Sequence, residues 1–248
     1  MKILVFVNHV PDTETKVKIG SDGKSIDPAG VNFMLSPYDE IGVEEALKTK
    51  QLMGGEVVVV SLGGESNKET IRKALAMGCD KAVLLKDGSL RDSFAVAHAL
   101  AEYAKEYAAD IIFCGKQSID YDDAQVGGLV AELLGIPSIS VVVKLEIKGT
   151  EVIAEREIEG GHEIVHAVLP VVITAQKGLN EPRYPSLKGI MDAKRKPIEE
   201  KAPSVVASRV DVLSMSKPPA KAQGKIVGTD ASAAAELVRL LHEEAKVI

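Results

Sequence analysis

Several groupings in the 248-residue chain have residue types and spacings that could do chemistry. His162-Glu163-Ile164-Val165-His166 has the H-E-x-x-H spacing. On a helix that spacing puts two imidazoles on one face to share a zinc ion, with the Glu as base. Here the segment follows Gly160-Gly161 and continues through β-branched residues toward Pro170, which is the setting of a strand. Positions four apart on a strand lie roughly 13 Å apart at ~3.3 Å per residue, too far to chelate one ion. No metal site is expected. Cys79 and Cys114 form no C-x-x-C pair, and Cys114 ends an apolar run where a small buried thiol belongs. Gly63-Gly64 lies between a strand and a helix, where backbone N–H groups can hold a phosphate. Neither the dinucleotide fingerprint nor the phosphate loop is present around it.

The most unusual stretch is Gly115-Lys116-Gln117-Ser118-Ile119-Asp120-Tyr121-Asp122-Asp123-Ala124-Gln125-Val126-Gly127. Two readings of it stand level. In one, a helix starts here and three carboxylates answer its macrodipole. In the other, the carboxylates take ribose hydroxyls and the helix N–H groups take a phosphate. A further stretch, Leu179-Asn180-Glu181-Pro182-Arg183-Tyr184-Pro185-Ser186-Leu187, leads into a short helix followed by Lys194, Arg195 and Lys196. Leu187 is either core or, on a loop tip beside that basic run, a docking anchor.

These residues need elements to position them. Residues 2–8 form an apolar run of strand length, as expected for a strand covered on both faces. A polar stretch over 13–30 follows, with Asp22-Gly23 as a turn signal. Ser36-Pro37-Tyr38-Asp39 reads as a helix start with Ser36 as cap, and the helix runs to about Met53 before Gly54-Gly55. Strands are predicted over 56–62, 81–85 and 111–114. Helices are predicted from Gly64 to about Met77, over 92–107, and from after the 115–121 loop to Leu134. Such alternation means a parallel sheet with right-handed crossovers and helices on both faces. Ligands then sit beyond the carboxyl ends of the strands where the order reverses, here between the ends of the first and fourth strands. After Pro137 the period becomes two, with strands over 138–147, 151–158, 163–169 and 171–175 and hairpin turns at 148–150 and Gly160-Gly161. Residues 186–194 form one short helix. Residues 197–228 are rich in Pro, Lys and Ser and read as an extended arm. Ala234, Leu237, Val238, Leu241 and Ala245 recur at helical spacing after a cap at Thr229. The division expected is a domain over 1–196 and an arm with its terminal helix over 197–248.

Composition narrows the function classes. Thirty Lys and Arg against thirty-six Asp and Glu leave a net charge of −6. There is no excess positive charge to displace counterions from a nucleic acid. Trp is absent and aromatics are 4%, so stacking platforms for single strands are few. No apolar run reaches the ~20 residues needed to span a bilayer. The first residues fit neither a signal nor a transit peptide, and two cysteines suit a reducing compartment, so a cytoplasmic location is expected.

Three segments carry a family resemblance. They are Glu69-Thr70-Ile71-Arg72-Lys73-Ala74-Leu75-Ala76-Met77-Gly78, the 115–127 loop, and Arg156-Glu157-Ile158-Glu159-Gly160-Gly161 through Pro170 to Leu179-Asn180-Glu181-Pro182-Arg183-Tyr184. With them the chain resembles the β subunit of electron transfer flavoproteins over essentially its whole length. The resemblance implies a three-layer, doubly wound, mainly parallel α/β sheet of the adenine-nucleotide alpha-hydrolase type, with antiparallel hairpin strands and a C-terminal arm. It implies a heterodimer with an α subunit that carries the redox FAD. Electrons would come from flavin-dependent dehydrogenases, as in fatty acid β-oxidation, and pass to an acceptor such as a quinone oxidoreductase. It implies no catalytic residue in this chain.

Carried over from the family, nucleotide contacts fall on Phe6, on Ser36, Pro37, Tyr38 and Asp39, on Leu62, and on Gly115, Lys116, Gln117, Ser118, Ile119, Asp120, Tyr121, Asp122, Asp123, Ala124, Gln125 and Val126. The dehydrogenase anchor falls on Leu187, and Glu157 helps position the flavin domain. The arm would embrace the α subunit. AMP is the nucleotide favoured in this subunit, because a bulky Tyr121 stands where the whole of FAD would need room. FAD is the alternative, as in electron-bifurcating members, whose loop shares Ala124-Gln125-Val126-Gly127. A nucleotide hydrolase would need a Gly/Ser-rich phosphate loop after the first strand, which Asn8-His9-Val10-Pro11-Asp12 does not supply. A stand-alone nucleotide-sensing module would leave the arm and the anchor without a use.

Overall fold

The computed structural model describes residues 1–89, 91–221 and 223–248. Strand β1 (Lys2–Phe6) is buried along four of its five residues. It stops short of Asn8 because β2 (His9–Pro11) turns away to pair antiparallel with β3 (Phe33–Leu35), a small sheet whose two strands flank the polar stretch over 13–30. The His9 ring stacks on Phe33 at 4.6 Å. Helix α1 (Pro37–Met53) starts with proline in its first turn, where the missing N–H would have had no partner. Ser36 does not cap it: its hydroxyl is buried without a partner, and its N–H goes to the Asn8 carbonyl at 3.2 Å. Only its carbonyl serves the helix entry, accepting the Glu40 N–H at 3.0 Å.

The chain continues through β4 (Glu56–Gly63), α2 (Asn67–Met77), β5 (Lys81–Lys86), α3 (Ser93–Tyr107), β6 (Ile111–Gly115) and α4 (Val126–Leu134). Asp92 caps α3 by accepting the Ala95 N–H at 2.9 Å. Then come β7 (Ser138–Lys148), β8 (Glu151–Ile158), β9 (Gly161–Val168), β10 (Val171–Ala175), α5 (Leu187–Arg195) and β11 (Glu199–Lys201).

The strands join in one nine-stranded sheet, β11-β5-β4-β1-β6-β10-β7-β8-β9. It is parallel from β11 to β7 and antiparallel through β8 and β9. Successive residues of β1 face opposite layers, as the two-residue period requires. Ile3 and Val5 pack with Val43, Leu47, Ile71 and Leu75 of α1 and α2. Leu4 and Phe6 pack with Leu100, Ala101, Val130 and Ala131 of α3 and α4. The α/β fold, doubly wound around a mainly parallel sheet with antiparallel hairpin strands, is the one expected. From β1 the chain winds outward to β4 and β5, then returns to place β6 on the other side. The order therefore reverses between β1 and β6.

Two compact units divide the chain, Met1–Leu213 and Ser214–Ile248. The first runs beyond the expected boundary at 196 because β11 adds to the sheet edge, Glu199–Lys201 pairing in parallel with Val83–Leu85. Further along, Asp92 accepts the N–H groups of Arg209 at 2.6 Å and Val210 at 3.0 Å, which ties that segment to the start of α3. In the second unit α6 (Ala233–Glu243) begins after Ser232, three residues later than a Thr229 cap predicts. Leu240 is its buried residue, while Leu237 and Val238 are exposed. At the other end of the sheet β9 is an edge strand whose outer face shows Ile164 and Val168 to solvent. No helix among the described residues is long and apolar enough to cross a membrane.

Candidate functional site

A cleft of about 340 Å³ opens beyond the carboxyl ends of β1, β4, β5 and β6, at the strand-order reversal. Asp39, in the first turn of α1, fixes its floor. One carboxylate oxygen accepts the Asn8 N–H just after β1 at 2.8 Å. The other accepts the Gly115 N–H at the end of β6 at 2.7 Å. One buried side chain thus clamps together the two strand ends that flank the reversal. Burial drives its carboxyl up to about 7, against the pull of those two N–H groups, and Asp120 nearby pushes the same way. Gly115 permits the approach: a Cβ there would lie 2.6 Å from the Tyr38 Cβ. Gly127 does the same for α4, since its Cβ would lie 2.5 Å from the Thr174 methyl and 3.0 Å from the Cys114 sulfur.

The loop from β6 to α4 removes the first of the two readings of its carboxylates, in which they answer a helix macrodipole. Helix α4 starts only at Val126, with no acidic residue in its first turn and no side-chain cap. The expected earlier start fails because Asp122 and Ala124 adopt positive φ, 56° and 54°, which breaks the helical path. The carboxylates are engaged elsewhere. Asp120 accepts the Asn8 side-chain amide at 3.2 Å, Asp122 bonds Gln117, and Asp123 bonds the Ser93 hydroxyl on α3. The first N–H groups of α4 have no side-chain cap, and Val126 and Gly127 line the cleft.

Of the residues expected to meet a nucleotide, Phe6, Asp39, Leu62, Gly115, Lys116, Gln117, Ser118, Asp120, Tyr121, Asp123, Gln125 and Val126 line the cleft. Ser36, Pro37, Tyr38, Ile119, Asp122 and Ala124 do not. Tyr38 instead packs behind the floor, where its ring lies 5.0 Å below the Lys116 ammonium. Most of the opposite wall went unnoticed in the sequence. Asp87, Gly88, Ser89, Arg91 and Ser93, which no motif marks, line it, and Asn67 adjoins them together with Gly63-Gly64, the pair singled out above as able to hold a phosphate. The signal available was positional, since the rule that ligands lie beyond strand ends applies to the turns after β4 and β5 as well. His9 also reaches the cleft; burial lowers its pKa, and its Nδ1 lies 2.7 Å from the Thr70 hydroxyl.

Leu187 and Glu157, the residues expected to meet partners, do not line the cleft. Leu187 opens α5 and is 84% exposed, so it is not core. Its helix is held from below: Gly189 lies against the Ala76 carbonyl of α2, Arg72 donates to the Lys196 carbonyl at 2.7 Å, and Lys196 donates to the Cys79 carbonyl at 2.6 Å. The segment before it is stapled to α1. Asn180 donates to Glu45 at 2.8 Å and to the Ile41 carbonyl at 3.1 Å. Arg183 meets the buried Glu44 carboxylate through Nε at 2.7 Å and an Nη at 2.9 Å. Arg183→Lys keeps the charge but loses the two-pronged geometry. It is expected to lower stability by about 1 kcal/mol and to speed proteolytic cleavage within 179–186; unchanged cleavage would show that the fork does not hold this segment. Glu157, on β8, accepts the Gln176 amide at 2.7 Å.

The H-E-x-x-H segment lies on β9, as its setting predicts. His162 pairs with Glu155 and His166 with Glu151, different carboxylates on the neighbouring strand. No cluster of three or more His, Cys, Asp or Glu side chains suited to a metal occurs among the described residues. Both thiols are buried, and burial pushes Cys79 up to about 12 and Cys114 higher still.

The sequence profile of the electron transfer flavoprotein domain matches residues 24–206. The chain is similar to an electron transfer flavoprotein subunit beta from Bacillus subtilis, 42% identical over the full length of both chains. It is also similar to proteins of the same description from Syntrophomonas wolfei, 41% identical over 100% of this chain and 98% of the relative, and from Mus musculus, 39% identical over 96% of each.

Proposed function

The chain belongs to the electron transfer flavoprotein family, as a β subunit, and from that premise we propose that its cleft holds an adenine nucleotide, AMP in preference to FAD. Its partner is an α subunit that carries the redox FAD. The observation that supports this most is the uncapped N-terminus of α4, which lines a cleft whose nearby carboxylates are engaged by Asn8, Gln117 and Ser93. The free N–H groups suit a phosphate, and the carboxylates of Asp120 and Asp123 retain lone pairs for ribose hydroxyls. Apolar walls from Phe6, Leu62, Val96 and Leu100 suit the faces of a purine. Tyr121, 56% exposed and part of the lining, narrows the mouth and favours the shorter nucleotide.

In this reading FAD, held with the α subunit, supplies the redox chemistry. The β chain orders the nucleotide, and Glu157 helps position the flavin domain. The arm over 197–228, with exposed Val205, Val210, Leu213 and Ile226, embraces the α subunit. Leu187 enters an apolar pocket on a flavin-dependent dehydrogenase, and the electrons pass on to a quinone oxidoreductase.

The nucleotide assignment is tested by denaturing the purified heterodimer and quantifying what is released. One FAD and one AMP per heterodimer supports it. Two FAD would replace AMP with FAD in this chain, and a single FAD with no second nucleotide would remove the nucleotide role. Leu187→Ala removes an exposed side chain that no fold contact needs. It is expected to slow electron acceptance from the dehydrogenase about tenfold, on the order of a moderate interface hot spot, with nucleotide content and melting temperature unchanged. Wild-type transfer kinetics in that variant would take Leu187 out of the docking role.

A further inference from the structure

The two ends of the cleft differ in chemistry, and, resting on the nucleotide reading above, we propose that Arg91, held by Asp87, recognises the nucleobase at the end opposite the 115–127 loop. The order β5-β4-β1-β6 places that loop and the uncapped end of α4 on the β6 side. The turns after β4 and β5 stand on the other. Between them Phe6, Leu62, Val96 and Leu100 supply apolar walls, Asn8 and Asp39 lie along the floor, and the Ser93 hydroxyl bonds Asp123 from one wall to the other. A nucleotide divides in the same way, into a flat ring with apolar faces and a polar rim, and a sugar bearing a phosphate. The sugar and phosphate belong with the N–H groups of α4. The ring then lies among the apolar walls, and its polar rim meets Arg91.

The side chains at that end are built for one task. Asp87 is tied to β4 by its N–H to the Gly63 carbonyl at 2.9 Å. One of its carboxylate oxygens accepts the Ser89 N–H at 2.9 Å and the Ser89 hydroxyl at 2.8 Å, and the other pairs with Arg91. Its acceptors are thereby engaged, and what remains to read a ligand is the guanidinium. Only 7% of the Arg91 side chain is exposed, and its Nε–H is buried with no protein partner. A buried donor left unmet is unfavourable until an acceptor reaches it. The ring nitrogens of adenine are such acceptors. The apolar walls and Asp87 together put Arg91 at the rim of the ring rather than at the phosphate.

The test uses the full chain in its heterodimer, stripped of nucleotide, with equilibrium binding of AMP and of adenosine as separate probes. In Arg91→Met both ligands are expected to weaken by about tenfold or more, the loss of a hydrogen bond from a charged donor, and the ratio of their affinities stays near the wild-type value. Arg91→Lys, which keeps a charge for Asp87 but has no Nε–H, gives the same pattern and serves if the Met variant fails to fold. Loss of AMP affinity with adenosine unaffected would make Arg91 a phosphate ligand and overturn the proposal. So would wild-type affinity for both probes. A wild-type heterodimer that binds neither AMP nor adenosine would instead bring down the AMP reading on which the proposal stands.

Discussion

Gly115→Ala is expected to lower stability by roughly 2–3 kcal/mol, the usual penalty of overpacking a well-filled interior, and to strip the cleft of nucleotide. The added methyl would lie 2.6 Å from the Tyr38 Cβ, 2.7 Å from an Asp39 carboxylate oxygen and 2.8 Å from the Tyr38 carbonyl carbon. All three atoms belong to Tyr38 and the buried Asp39 in the first turn of α1, and they cannot give way without shifting the helix. Such a shift would also break the Gly115 N–H bond to Asp39 and unseat the floor of the cleft. Denaturant unfolding and the nucleotide content of the purified heterodimer measure both effects. Wild-type values for both would mean that β6 and α1 approach less closely than 2.6 Å implies.

The second large effect is expected at Asp39. An amide offers one acceptor oxygen where two N–H groups converge, so Asp39→Asn sets an NH2 against the N–H of either Asn8 or Gly115. One buried donor is left unpaired, at about 1–3 kcal/mol. The penalty depends on pH. Burial raises the folded-state pKa of Asp39 to about 7 from an ordinary 3.8, so the folded chain holds this proton more tightly than the unfolded one. The resulting stabilisation is complete below the ordinary value and is lost as pH rises through about 7. Wild type carries that slope and the Asn variant does not. The stability gap between them is therefore expected to narrow from pH 5 to pH 8. A constant gap over that range would mean that Asp39 stays ionised throughout and that its two N–H bonds outweigh its burial.

The layers of the fold were legible because buried parallel strands are apolar throughout: Glu56–Gly63 and Lys81–Lys86 declare themselves by composition alone. Glycine and proline marked the ends of α1. What misled were residues whose types imitate a role. Asp122 and Asp123 look like the acidic first turn of a helix, yet their side chains bond across to Gln117 and Ser93 and the backbone at Asp122 has left the helical region. Ser36 has the right type for a cap, but its hydroxyl is buried without a partner. The strand Glu199–Lys201 was hidden because Glu-Glu-Lys has no strand character; it is recruited by the open edge of β5 and by its charges, Lys86 meeting Glu200 at 2.8 Å and Lys201 meeting Glu106 at 2.9 Å. Within the candidate site the loop residues were visible as a run of unusual composition. Asp87 and Arg91 were not, because a single ion pair four residues apart resembles any surface turn until the sheet order shows where it stands.

The unpaired edge at β9 bears on how the protein must be made. Its eight residues present a row of free backbone donors and acceptors, and Ile164 and Val168 stand exposed on the same strand. Native sheets normally cover, shorten or charge such an edge, because it otherwise recruits a strand from another molecule. Glu163 is the one acidic side chain on β9, and Arg156 partly neutralises it at 3.3 Å. A chain synthesised without a companion to cover this edge is left with other copies of itself as the most available pairing surface. Whatever covers this edge serves solubility before it serves any other purpose.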